Sequence, residues 1–169
     1  LQYVSIFVSN QLDEYVIKSL LDQDSPIDGF GVGTSLITGK NDAALDGVYK
    51  LSEINGKPTM KFSENTAKIG LPGIKKLYRF YNQNDNSFYA DGIELMKENI
   101  PDRIYHPIHN TMSSDTSVYE VECISEKVME SGKRLFAEKS IKQIAEFTKS
   151  QLKKLPDEVK RFENPHEYK

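Results

Sequence analysis

The sequence predicts an α/β fold: a strand–helix–strand unit at the amino end, then a β-rich α+β lobe, then a C-terminal helix. Three observations predict it. The apolar run Tyr3-Val-Ser-Ile-Phe-Val8 breaks into Ser9-Asn10. A second run, Ile27-Asp-Gly-Phe-Gly-Val-Gly-Thr34, lies one helical stretch further along and breaks into glycines. From Val48 onward the apolar residues alternate instead of recurring at helical spacing, which marks antiparallel strands.

Taken in order, Tyr3–Val8 is rich in β-branched and aromatic residues, as expected of a parallel strand with both faces covered. Leu12, Val16, Ile17, Leu20 and Leu21 make one face of a helix, with Asp13 and Glu14 in the first turn at the positive end of its dipole. Gln23-Asp-Ser-Pro26 ends that helix, and Ile27–Phe30 begins the second strand, joined by a right-handed crossover. In the lobe, Val48–Ile54 and Pro58–Phe62 flank Asn55-Gly56, a two-residue hairpin signal. Leu77–Tyr81 and Ser87–Ala90 flank a polar turn at Asn82–Asn86 and read as a second hairpin. Lys68–Lys76, with two glycines and a proline, reads as a loop. Ser140 with Gln143 forms a capping box for a last helix, whose face runs through Ile141, Ile144, Ala145, Thr148, Leu152 and Leu155. These signals divide the chain into residues 1–47, 48–124 and 125–169, the last read as helical.

Composition narrows the functions. Hydrophobic residues at 38% and charged residues at 28% of 169 suit a globular core. A formal charge of −3 gives no electrostatic case for nucleic acid or an anionic membrane, and no apolar run reaches the ~18 residues of a membrane helix. Cys123 stands alone, which excludes an internal disulfide, suits a reducing cytoplasmic compartment and reads as a buried inert thiol. The chain starts at Leu1-Gln2-Tyr3 and enters a strand at once, so we expect a carboxy-terminal piece of something longer.

The chemistry concentrates where the two parallel strands end. Gly29, Gly31 and Gly33 let backbone amides approach a bulky anion without an intervening Cβ. Thr34 adds a hydroxyl and can cap a following helical turn. The plainer alternative is a glycine-rich turn that only reverses the chain. Ser9 and Asn10 add donors at the same sheet edge, and in (β/α)₈ barrels the loops after the last two strands commonly hold phosphate. Arg79, Arg103 and Arg134 read as solvated surface arginines. Lys75-Lys76 and Lys153-Lys154 read as solvated charges, and His106 and His109 as loop residues.

The segments Ile6–Ile17, Pro26–Thr34, Ala44–Leu51, Asn55–Lys61, Leu71-Pro-Gly73 and Leu155–His166 resemble, in order, the carboxy-terminal portion of nicotinate phosphoribosyltransferase. The resemblance implies the last strand–helix–strand units of a (β/α)₈-type phosphoribosyltransferase barrel, followed by part of an α/β lobe. It implies a dimeric enzyme of NAD biosynthesis that forms nicotinate mononucleotide from nicotinate and 5-phosphoribosyl 1-diphosphate, with ATP and Mg²⁺ serving the intact protein. It further implies that Ser9, Asn10 and Gln11 belong to a first phosphate loop, and Gly31, Val32, Gly33 and Thr34 to a second. Members often carry Ser-Gly-Asp or Ser-Asn-Asp where this chain has Ser9-Asn10-Gln11, so an acidic contact to the ribose hydroxyls is missing at Gln11. The family's phosphorylatable histidine and its nicotinate-holding residues lie upstream of the matched region, and none of His106, His109 and His166 corresponds to them. The resemblance therefore implies no catalytic residue, no metal and no bound cofactor in this chain, no activity for it alone, and the remainder of the parent chain as its partner. Two alternatives stay open: a related quinolinate- or nicotinamide-using transferase, and a non-catalytic β-rich interaction module.

Overall fold

In a computed structural model that describes residues 2–40, 43–44, 47–65, 68–109 and 111–169, the chain forms two compact units, Leu1–Tyr49 and Lys50–Lys169. Leu45 and Asp46, which carry part of the resemblance over 44–51, lie outside the described residues.

The first unit contains β1 (Phe7–Ser9), α1 (Glu14–Asp22), β2 (Gly29–Gly31) and α2 (Thr34–Thr38). β1 and β2 pair in parallel, with Phe7 opposite Gly29, Val8 opposite Phe30 and Ser9 opposite Gly31. α1 begins where it does because the Asp13 carboxylate accepts the Val16 amide at 3.0 Å, satisfying a first-turn donor that has no intrahelical partner. Lys18 and Asp22 then pair one turn apart at 2.6 Å. The first strand is shorter than its apolar run. Among the described residues only Phe7–Ser9 pairs as strand, because β2 offers three residues, and β-propensity without a strand partner makes no ladder. Nor are both faces covered: Tyr3, Val4, Ile6 and Phe7 are exposed.

The second unit runs β3 (Glu53–Ile54), β4 (Lys57–Pro58), β5 (Lys75–Tyr81), β6 (Phe88–Leu95), β7 (Arg103–Tyr105), β8 (Ser113–Asp115), β9 (Glu120–Cys123), β10 (Met129–Glu130), β11 (Lys133–Arg134) and α3 (Ile141–Lys154). β3 and β4 close around Asn55 and Gly56, whose φ values of 50° and 74° fit the left-handed pair that a type I′ turn needs. β5 lies at the centre of an antiparallel sheet ordered β6-β5-β9. The β5–β6 turn is the polar one expected, closed by the Asn82 amide on the Ser87 carbonyl at 2.9 Å. Tyr78, Phe80 and Ala90 form the core, backed by Tyr89, Ile104 and Tyr119. α3 starts on the expected capping box, with Ser140 and Gln143 exchanging side-chain and backbone hydrogen bonds.

Two expectations need correcting here. The stretch from 125 onward, read as helical, first makes the β10–β11 hairpin around Ser131-Gly132, a left-handed pair with φ of 47° and 75°, before α3 begins. Cys123 is exposed rather than buried. It ends β9, an edge strand of the sheet with no buried position, so neither face hides the thiol.

Three phenols resist ionisation in this unit, Tyr81, Tyr168 and, through burial, Tyr119. Burial and a 2.6 Å hydrogen bond to the Glu122 carboxylate push Tyr81 up to about 12. Tyr168 is raised as well, by burial and by the Asp91 carboxylate beside it. The fold therefore prefers the neutral phenol. That contribution is complete below the ordinary tyrosine value of 10.0 and fades as pH climbs from there toward 12. We expect the unfolding temperature to fall over this interval, together with late-titrating tyrosinate absorbance. A flat unfolding temperature across it would show that the phenols carry no such stability.

Candidate functional site

Because β1 and β2 run parallel with Ser9 opposite Gly31, the segments leaving their carboxyl ends emerge side by side at one edge. Ser9, Asn10 and Gln11 form one loop and Gly31, Val32, Gly33 and Thr34 the other. All are solvent-exposed except Val32, which is half-buried. Asn10 and Gln11 occupy the left-handed region at φ of 78° and 53°. Two consecutive non-glycine residues there are uncommon, and asparagine tolerates the region better than glutamine. Such backbone persists where surrounding structure dictates it, and it clusters at ligand sites. The sequence gives no local sign of it at Gln11.

The three glycines differ in purpose. A Cβ on Gly29 would lie 2.3 Å from the Phe7 ring, and one on Gly31 would lie 3.1 Å from the Ser9 Cβ. Those two glycines admit a cross-strand neighbour, so their smallness serves strand packing. At Gly33 a Cβ would meet nothing within 4 Å. Only Gly33 leaves open space at the backbone for an outside group.

Thr34 does not cap the helix that follows. Gly33 is the N-cap of α2, with no side-chain cap bond, and its carbonyl accepts the amides of Leu36 and Ile37, both at 3.1 Å. The first-turn amides of Thr34 and Ser35 have no intrahelical acceptor. Thr34 also anchors the turn from the other side, since the Thr38 hydroxyl donates to its carbonyl at 2.8 Å.

The carboxylates flanking the loops are engaged. Asp28 accepts the Ile6 amide at 2.6 Å, and Asp13 accepts Lys40 Nζ at 2.8 Å besides capping α1. The Lys40 ammonium and the Val16 amide hold the Asp13 carboxyl below the ordinary range.

The other residues singled out in the sequence lie in the second unit. Arg79 is not a solvated cation: it makes a half-buried two-point contact with Asp91, at 2.8 and 2.7 Å. Arg103 reaches Ser113 at 2.9 Å, and Arg134 pairs with Glu138. Lys75 is not simply solvated either, donating to the carbonyls of Leu71 and Gly73 at 2.6 Å, while Lys76 donates to that of Glu98 at 2.7 Å. Lys154 lies over the Tyr81 ring at 5.0 Å. His106 and His109 sit in the loop between β7 and β8 as expected, with the His106 ring nitrogen accepting the amides of Ile108 and His109. No group of three or more metal-ligating side chains exists among the described residues.

Residues 74–169 match the model of the nicotinate phosphoribosyltransferase C-terminal domain. The chain belongs to the nicotinate phosphoribosyltransferase family. The Bacillus subtilis nicotinate phosphoribosyltransferase is 36% identical over 171 residues, covering 96% of this chain and 35% of that protein. The Dictyostelium discoideum nicotinate phosphoribosyltransferase is 32% identical, covering 98% of this chain and 30% of its own. The crystal structure of human nicotinic acid phosphoribosyltransferase shares the fold of mixed strands and helices at a TM-score of 0.68 and 24% identity, over 99% of this chain and 30% of that one. This family member thus spans about a third of the length of the curated relatives it matches. Among its described residues no helix is long and apolar enough to cross a membrane.

Proposed function

We propose that the chain is the carboxy-terminal third of a nicotinate phosphoribosyltransferase and that its share of the reaction is to anchor the 5-phosphate of 5-phosphoribosyl 1-diphosphate. In this reading β1, α1 and β2 are the last strand–helix–strand units of a (β/α)₈-type barrel. The parent enzyme is a cytoplasmic homodimer forming nicotinate mononucleotide for NAD biosynthesis. The observation that carries the reading is the parallel register of Ser9 with Gly31, which puts both loops at one sheet edge, in a chain whose similarity to these enzymes extends through both loops.

The anchoring chemistry follows from what the two loops offer. The side chains of Ser9, Asn10, Gln11 and Thr34 carry hydrogen-bond donors, and Gly33 leaves open space at its backbone. Displacing diphosphate from C1 of the ribose builds positive charge on the sugar, and fixed contacts to the distant phosphate orient C1 without touching it. Binding energy spent far from the reacting atoms then lowers the barrier at them. ATP and Mg²⁺ belong to the full-length enzyme in this reading. The described residues do not fit them: Asp13 and Asp28 are already taken by Val16, Lys40 and Ile6, and no metal-ligating cluster stands among the described residues. No step through either is assigned to this chain, and the chain alone transfers no phosphoribosyl group.

Gly33→Val in the full-length enzyme tests the anchor. The added side chain meets no protein atom at its Cβ but occupies the approach to the backbone. We expect the KM for 5-phosphoribosyl 1-diphosphate to rise about tenfold or more, the loss of one charged hydrogen bond. The KM for nicotinate and the unfolding temperature should hold. Asn10→Gly, which suits the left-handed backbone while removing the amide, should move the same constant in the same direction. Unchanged phosphoribosyl diphosphate kinetics in both variants would sink the assignment.

A further inference from the structure

We propose that Asp13 and Lys40 form a brace that sets the spacing of the two phosphate loops, a positioning role rather than a contact with ligand. The proposal rests on the phosphate reading above. Asp13 follows the first loop by two residues, and Lys40 follows the helical turn that closes the second. They are 27 residues apart in sequence, yet Lys40 Nζ lies 2.8 Å from Asp13 Oδ2.

The pair is the last link of a continuous chain of hydrogen bonds. The Thr34 carbonyl accepts the Thr38 hydroxyl at 2.8 Å, and the Lys40 amide donates back to that hydroxyl at 3.2 Å. Gly39 and Lys40 take left-handed φ values of 61° and 29°, which reverses the chain after α2. The Lys40 ammonium then reaches Asp13, whose other oxygen is fixed by the Val16 amide at the head of α1. On the near side, Leu12 is 5% exposed, the one buried apolar side chain among the described residues of this unit, and it lies at the step between the strained Asn10-Gln11 and Asp13. Each loop is therefore tied to the other through one ion pair.

An ordinary surface ion pair contributes little. This one differs in what it joins and in how its acid is held. The Asp13 side chain is 13% exposed against 56% for Lys40, and both its oxygens are occupied. Asp13, and beyond it Glu14, favour the charged form of Lys40, so the pair is held as an ion pair.

The test uses four variants of the full-length enzyme. Lys40→Gln breaks the brace without touching α1, and Asp13→Asn breaks it while keeping a good N-cap. Each is expected to raise the KM for 5-phosphoribosyl 1-diphosphate by about tenfold through loop misplacement, leaving kcat and the KM for nicotinate in place. Lys40→Arg should restore the wild-type constant, and the double variant Asp13→Asn/Lys40→Gln should be no worse than either single one. Two results overturn the brace. One is an unchanged constant in Lys40→Gln. The other is a raised constant in Lys40→Gln with an unchanged or lowered one in Asp13→Asn, which would make Lys40 a direct phosphate ligand. Gly33→Val separates this failure from that of the parent reading. If Gly33→Val raises the constant and the brace variants do not, the anchor stands and the brace falls. If neither the brace variants nor Gly33→Val and Asn10→Gly move it, both fall.

Discussion

Truncating Phe80 to alanine is expected to remove about 3–5 kcal/mol from the stability of the Lys50–Lys169 unit. Phe80 is 1% exposed, the largest fully buried side chain among the described residues. It sits on β5, the middle strand of the β6-β5-β9 sheet, and packs with Tyr78 and Ala90. Gly92 faces the ring so closely that a Cβ there would lie 3.1 Å from it. The neighbours are thus fitted to a ring, and two of them, Tyr78 and Ile104, belong to paired strands that cannot easily collapse inward. Few apolar side chains among the described residues of this unit are buried, so the loss falls on a small core, and native margins are only about 5–15 kcal/mol. With nine tyrosines and no tryptophan, urea unfolding is followed by tyrosine fluorescence. Phe62→Ala, at a ring that is 81% exposed, is the control and should shift the transition by less than about 0.5 kcal/mol. Coincident midpoints for Phe80→Ala and the parent chain would mean that the core lies elsewhere.

What could be read from the sequence is what short-range chemistry dictates. Ser140 begins a helix because its oxygen reaches the amide three residues ahead, and Asn55-Gly56 turns because both residues accept positive φ, whereas Asp13, read as a first-turn acid, is in fact the N-cap of α1. The hairpin on either side of Asn82–Asn86 is legible from its polar turn between two apolar runs. The paired loop ends followed from one topological rule applied to two apolar runs. Illegible features depend on partners far along the chain. Nothing within a few residues of Arg79 announces Asp91 twelve positions on, nor Lys40 the Asp13 carboxylate 27 positions back. Cys123, a lone cysteine, reads as a buried inert thiol, yet it ends an edge strand that leaves it uncovered. The β10–β11 hairpin is illegible although Ser131-Gly132 is a turn signal, because two-residue strands of mixed charge carry no periodicity. At the loops, the residue types were readable but the left-handed backbone of Gln11 and the unequal purposes of the three glycines were not, since both depend on what stands across the sheet.

The second large effect is expected at Arg79. Its Nε and Nη2 donate to the two oxygens of Asp91 at 2.8 and 2.7 Å, across the β5–β6 pair, with the side chains 21% and 25% exposed. The same carboxylate accepts the Tyr168 hydroxyl at 3.0 Å, and the Asp91 amide donates to the Lys169 carbonyl at 3.0 Å. The guanidinium also covers the Phe88 ring at 4.3 Å. Arg79 therefore holds two strands and the Tyr168–Lys169 segment through one acid. Arg79→Ala would leave Asp91 half-buried with a phenol as its remaining side-chain donor, a loss of about 2–3 kcal/mol for a charge-assisted two-point contact. Arg79→Lys should recover only part of this, because an ammonium cannot match both oxygens or lie flat on the Phe88 ring. Removing the acid as well discriminates between causes. If the Arg79 loss is largely that of stranding Asp91, Arg79→Ala/Asp91→Ala will be less destabilised than the two single losses summed, with a coupling above about 1 kcal/mol. The Tyr168 phenol, freed from its carboxylate in that double variant, should titrate closer to an ordinary tyrosine. Strictly additive losses with an unmoved Tyr168 would show that the sheet and the segment docked on it are held by packing and not by this network.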